Sequence, residues 1–162
     1  LNQNSIGIEI TNPGHEFGYK KFSKKQILSL LKLSKFLSKK YKINSKNILG
    51  HSDISSERKK DPGEKFPWQY LSKNKIGLWH SLKKKELIKN RTLQISNMEK
   101  EFFLSHIFKI GYSKKIPKSL NKDRYLKSLV KAFQRRFRPE LIDGKTDREC
   151  LLISANLLKK YN

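Results

Sequence analysis

Hydrophobic and polar positions change period several times along this chain. In "NSIGIEI", Ile6, Ile8 and Ile10 alternate with Gly7, Glu9 and Thr11, and a period of two predicts a strand. Asn12, Pro13 and Gly14 then supply turn chemistry. Ser23 precedes a run in which Ile27, Leu30, Leu31 and Leu37 share one stripe with Tyr41 following, while Lys24, Lys25, Lys32, Lys35 and Lys39 face largely elsewhere. "INSKNILGH" reads as a turn and a short strand from Ile48 to Gly50 that delivers His51 at its end. Strand, helix, strand and loop in that order predict an α/β layer architecture.

The text from Asp53 to Trp79 has little periodicity, and "DPGEKFP" marks it as a long loop with one helical turn near Gln69 to Ser72. Residues 82–96 are polar and weakly patterned, as a linker is. Three helices are predicted beyond them. The first is capped by Asn97, carries Phe102, Phe103, Ile107 and Ile110, and ends at Gly111. The second runs from Lys122 to Phe137 with Leu126, Leu129, Val130 and Phe133 inward and Pro139 as its stop. The last follows a "DGKTDRE" turn with Thr146 as cap and carries Leu151, Leu152, Ala155 and Leu158.

Composition narrows the possible partners. Against 14 Asp and Glu stand 37 Lys and Arg, a net charge of +23, which favours anionic partners and leaves the fold open. A hydrophobic share of 36% with nine Phe, six Tyr and two Trp is enough for a core. The single cysteine, Cys150, excludes an internal disulfide or a cysteine-rich zinc site and reads as a core filler. No stretch reaches the ~18 apolar residues that a membrane span needs, and no signal peptide is visible. The chain starts at Leu1 and its one methionine is Met98, so the expectation is a fragment whose upstream strands and targeting signal lie elsewhere.

Candidate chemistry concentrates in "GHSDISSERKKDPGEKFPW", residues 50–68. Histidine and aspartate are both acceptable zinc donors, and a catalytic zinc keeps three protein ligands with one open position. A ten-residue excursion pinned by Pro62 and Gly63 can return Asp61 to His51. A surface histidine and a turn-capping aspartate would read the same way, and "ERKKD" by itself is an ordinary charged loop.

Taken together, "IGIEITNPGHEFGY", "ILGHSDISSERKKDPGEKFPW" and "IGLW" resemble the zinc-dependent N-acetylmuramoyl-L-alanine amidases of the type 2 family, which are similar in turn to peptidoglycan recognition proteins. The resemblance covers residues 3–79. It implies hydrolysis of the amide between the lactyl group of N-acetylmuramic acid and L-alanine, with His51 and Asp61 as zinc ligands and a further ligand, a histidine, upstream of Leu1. It makes Glu9 the catalytic glutamate and Lys59 the catalytic lysine. Those types suit the chemistry: an amide needs a base that passes a proton to the leaving amine, and a cation steadies the developing oxyanion. His15, His80 and His106 match no ligand position. Asp53 is either a residue that orients the metal ligand or an Asx-turn residue, while Phe66, Pro67 and Trp68 are read as packing. "VKAFQRRFRPELIDGKTDRE" resembles the three-helix peptidoglycan-binding module often attached to such amidases.

The resulting expectation is an α/β protein: a mixed-sheet zinc amidase domain over residues 1–81, a linker over 82–96 and a three-helix domain over 97–162. Its cofactor is Zn2+, its partner peptidoglycan or a muropeptide, its setting the periplasm or cell envelope, its state a monomer. A nucleic-acid binder is disfavoured, since no RRM, KH, zinc-finger or helix-turn-helix signature is present. The alternatives are a cytoplasmic amidase recycling anhydro-muropeptides and a non-catalytic peptidoglycan-binding protein.

Overall fold

The computed structural model describes residues 4–161. It corrects the expected fold class: the described residues contain helices and no strand, and no mixed sheet is present. The period-two stretch around Ile6, Ile8 and Ile10 has no regular structure, and Ile6 and Ile8 are exposed. A strand exists only through a ladder of hydrogen bonds to a neighbour, and no described segment lies beside this one as a strand. The second expected strand, Ile48 to Gly50, has no regular structure and lies between a 3-10 turn over Ser45–Asn47 and a helix that starts at His51. There the Ile48 carbonyl accepts from Arg136 Nη2 at 3.2 Å, a side chain standing where a strand partner would.

Helix α1 spans Lys24–Lys40, and its start is decided locally: Ser23 accepts the Gln26 amide while the Gln26 side chain accepts the Ser23 amide. It is followed by α2 (His51–Ile54), α3 (Trp68–Lys73), α4 (Lys84–Asn90), α5 (Asn97–Ile110), α6 (Lys122–Phe137) and α7 (Arg148–Tyr161). Two expected caps shift by one residue. Ser96 caps α5, with Glu99 completing the box, because Ser–x–x–Glu satisfies two orphan amides reciprocally. At α7 the carboxylate of Asp147 accepts the Cys150 amide at 2.9 Å. The inward face of α7 is also rotated from the expected one: Cys150, Ile153, Ser154 and Leu157 are buried, whereas Leu151, Leu152, Ala155 and Leu158 are only partly covered.

Apolar side chains gather in two clusters. In the first, Ile27, Leu30 and Leu31 of α1 cover Phe66, Trp68, Leu71 and Ile76. The second and larger centres on Phe103, Phe133, Phe137 and Ile153, and it takes in Leu87 of α4. Trp79 borders both.

Packing also explains why "FQRRFR" and "DGKTD" occur together. The Gln134 side chain reads the turn backbone, donating to the Lys145 carbonyl at 2.9 Å and accepting the Gly144 amide at 2.8 Å. The fully buried Arg138 guanidinium reaches Asp147 at 2.5 Å and Glu149 at 3.4 Å, and Arg91 grips the same Glu149 with two nitrogens at 2.7 and 2.8 Å. Buried charges persist only when paired in this way.

Candidate metal centre

His51 opens α2, and Asp61 lies at the far end of the following loop. Backbone closure brings them back together: the Ser52 amide donates to the Asp61 carbonyl at 3.0 Å. At this neck a Cβ on Gly50 would stand 2.5 Å from Pro62 Cδ, so any larger residue would force the two ends apart. His51 Nδ1 and Asp61 Oδ2 are in direct contact.

Both side chains are about half exposed, 54% and 55%. An exposed pair contributes at most ~1 kcal/mol to a fold, so stability does not explain a loop built to bring these two groups together. An imidazole nitrogen and a carboxylate oxygen are donors that zinc accepts.

Loop 61–66 is tied down from the N-terminal side. The Tyr19 hydroxyl donates to the Pro62 carbonyl at 2.7 Å and accepts the Lys65 amide at 3.0 Å, and burial pushes the phenol pKa up to about 12. Gly63 has φ +87°, and a Cβ there would run into the Tyr19 hydroxyl. His15 stacks on Tyr19 and meets Glu64 at 3.0 Å. Burial raises the Glu64 pKa, but the His15 contact and local backbone donors outweigh it and hold the carboxyl below its usual range.

The other expected site residues are placed less tightly. Glu9 is exposed on the irregular segment before the Asn12–Gly14 turn. Lys59 is half-buried, its amide bonded to the Ser55 carbonyl at 2.9 Å, so the backbone turns shortly before Asp61. Arg58 and Lys60 are exposed. Phe66 and Trp68 are buried in the first cluster, where the sequence reading put them as packing.

No third donor joins His51 and Asp61 among the described residues. His15 is engaged with Glu64, His80 is buried against Trp79, and His106 bonds Ser154 at 3.1 Å. The two residues present fit zinc as part of a ligand set.

Sequence reasoning named Asp53 but missed its partners behind the His51 turn, Tyr112 and Arg136. Asp53 is buried, accepts the Tyr112 hydroxyl at 2.8 Å and pairs with the buried Arg136 guanidinium. A signal was available in helical period: Arg136 lies three residues after Phe133 and seven after Leu129, on the inward stripe of α6.

Comparison with known proteins adds relatives to this geometry. Residues 1–64 match the family described as N-acetylmuramoyl-L-alanine amidase. The chain is 32% identical over 166 residues to N-acetylmuramoyl-L-alanine amidase AmiD of Escherichia coli (strain K12), covering 99% of this chain and 59% of the relative. It is 41% identical over 73 residues to 1,6-anhydro-N-acetylmuramyl-L-alanine amidase AmpD of Haemophilus influenzae, covering 44% of this chain and 38% of the relative. Among solved structures, E. coli AmiD in complex with anhydro-N-acetylmuramic acid-L-Ala-D-gamma-Glu-L-Lys aligns with a TM-score of 0.74 at 31% identity, over 89% of this chain and 55% of that one. AmpDh3 from Pseudomonas aeruginosa aligns with a TM-score of 0.72 at 32% identity, over 90% and 56%. The chain therefore spans just over half the length of the relatives it matches along nearly its whole length.

Proposed function

We propose that this chain, whose first 64 residues match the N-acetylmuramoyl-L-alanine amidase family, is part of an enzyme that hydrolyses the amide joining the lactyl group of N-acetylmuramic acid to L-alanine in peptidoglycan or its muropeptides. The observation that carries the reading is the His51–Asp61 contact, an exposed donor pair produced by a loop closed on itself. His51 and Asp61 would hold zinc, with a further donor from outside the described residues. Zinc, when bound, would supply a Lewis acid and a water that ionises near neutral pH.

The rest of the reaction falls to side chains of this chain. Glu9 takes the proton of the attacking water and passes it to the nitrogen of the departing L-alanine, so that the amine leaves neutral. Lys59 offsets the negative charge that builds on the lactyl carbonyl oxygen. Arg58 and Lys60, both exposed, meet substrate carboxylates. A periplasmic or envelope setting goes with this reading, because "VKAFQRRFRPELIDGKTDRE" resembles a peptidoglycan-binding module and such a module is of use where intact wall is. A cytoplasmic recycling enzyme is thus the less favoured of the two enzymatic readings.

The test is release of L-alanine-headed peptide from an anhydro-muropeptide, with and without chelator. Chelator-sensitive release that His51→Ala and Asp61→Ala abolish is expected. Undiminished release by either variant removes the ligand assignment. Retention on purified wall with no release favours a non-catalytic peptidoglycan binder.

A further inference from the structure

The turn that presents His51 carries, two residues on, a charge that the fold has withdrawn from water. Asp53 is 8% exposed. Its Oδ2 accepts the Gly50 amide at 2.9 Å and contacts Arg136 Nη1, while its Oδ1 accepts the Tyr112 hydroxyl. Arg136 is 3% exposed, sends Nη2 to the Ile48 carbonyl and lies 4.1 Å over the Trp68 ring. Segment 48–53 is therefore gripped on both sides of His51 by one guanidinium from α6 and one phenol from beyond α5.

Stability alone is a poor reason for this arrangement. A buried ion pair is commonly no more stabilising than apolar residues of the same volume. What it adds is direction, because a planar guanidinium fork fixes two acceptors relative to each other. The Arg136 fork is aimed at the turn, and its Nε has no hydrogen-bond partner among the described residues.

We propose that Arg136 and Tyr112 are positioning residues for the candidate zinc site: the C-terminal helices hold the His51 turn through Asp53, so that the imidazole meets Asp61. The inference rests on reading His51 and Asp61 as zinc ligands. Neither Arg136 nor Tyr112 contacts either ligand in the structure; both act through Asp53 and the turn backbone.

The test compares Arg136→Met, Arg136→Lys, Tyr112→Phe and the control Arg138→Lys in the full protein. Arg138 belongs to the separate buried network with Asp147 and Glu149. Two quantities are read: hydrogen exchange of the Gly50, Ser52 and Asp53 amides, and zinc affinity by chelator competition. Arg136→Met and Tyr112→Phe are expected to speed exchange selectively at those amides and to weaken zinc about 10–100-fold, the usual cost of losing a group that orients a ligand. Arg136→Lys should recover part of the loss. Arg138→Lys should lower the thermal midpoint and leave both quantities at wild-type values. Wild-type exchange and affinity in Tyr112→Phe and Arg136→Met overturn the proposal, as do equal losses in Arg138→Lys. If Arg136→Met does not fold, Tyr112→Phe decides. A wild type that binds zinc yet hydrolyses nothing removes the amidase reading alone, and selective losses would still support the clamp. A wild type that binds no zinc overturns both.

Discussion

At the scale of single residues, function and stability separate cleanly. Glu9 is exposed and makes no contact that the fold depends on, so Glu9→Gln should leave the thermal midpoint unchanged. If Glu9 moves the proton, the same change should lower kcat by about 10²–10⁴-fold with zinc content retained. Wild-type turnover in Glu9→Gln would remove that role. Cys150 makes the opposite case: it is fully buried, and burial pushes its thiol up to about 12. Since the thiolate is the reactive form, a thiol reagent at neutral pH should label it in denaturant and not in the native protein. Rapid native labelling would contradict its place in the core. The sequence reading as a core filler agrees with this environment.

At the scale of elements, α6 and α7 are joined by charge as well as by aromatic packing. Glu149 is fully buried between Arg91 and Arg138. Glu149→Ala would leave two guanidinium groups short of a partner, which costs about 3–5 kcal/mol where a buried pair is broken. Phe133 meets Phe103 at 5.1 Å and Phe137 at 5.1 Å between ring centroids. Phe133→Ala should cost a similar ~3–5 kcal/mol through the cavity it opens. Denaturant unfolding measures both, and a loss below ~1 kcal/mol in either would show that the helices repack without the side chain. Helix α4, in a stretch that reads as a weakly patterned connector, owes its place to one residue: Leu87 is buried against α7's cluster while the polar remainder stays outside.

Two properties of the whole molecule can be tested by changing the solution. His80 is buried, and burial holds its pKa below the ordinary value of 6.5; His106 is shifted the same way by burial. A histidine whose folded pKa is depressed binds more protons when unfolded, so its contribution is complete above about pH 6.5 and is lost as pH falls below that value. The thermal midpoint of the metal-free protein should therefore fall between about pH 7 and pH 5, and less steeply in His80→Gln. An equal slope in that variant would place the dependence elsewhere. The +23 charge makes a second prediction: retention on anionic wall material should weaken as salt rises from about 50 mM to about 500 mM, because screening shortens the reach of exposed lysines. Salt-independent retention would mean that contacts other than charge hold the wall.

The sequence by itself determined the features that depend on neighbours along the chain. The capping pair Ser23 and Gln26, the stripe through α1, the span of α6 and the turn at Asp143–Gly144 are all local choices of backbone and side chain. So was the pairing of His51 with Asp61, since a ten-residue loop bounded by Gly50 and Pro62–Gly63 closes on itself. Tertiary structure decided what needed a distant partner. The alternation of Ile6, Ile8 and Ile10 is a strand only beside another strand, and period alone cannot supply one. The face α7 buries was set by the helices around it, and one residue of rotation moved the core from Leu151, Ala155 and Leu158 to Cys150, Ser154 and Leu157. The grip of Arg136 on Asp53 joins residues 83 positions apart. In the sequence they are two ordinary charges; only the packing of α6 against the His51 turn removes the water between them and makes each the other's necessary partner.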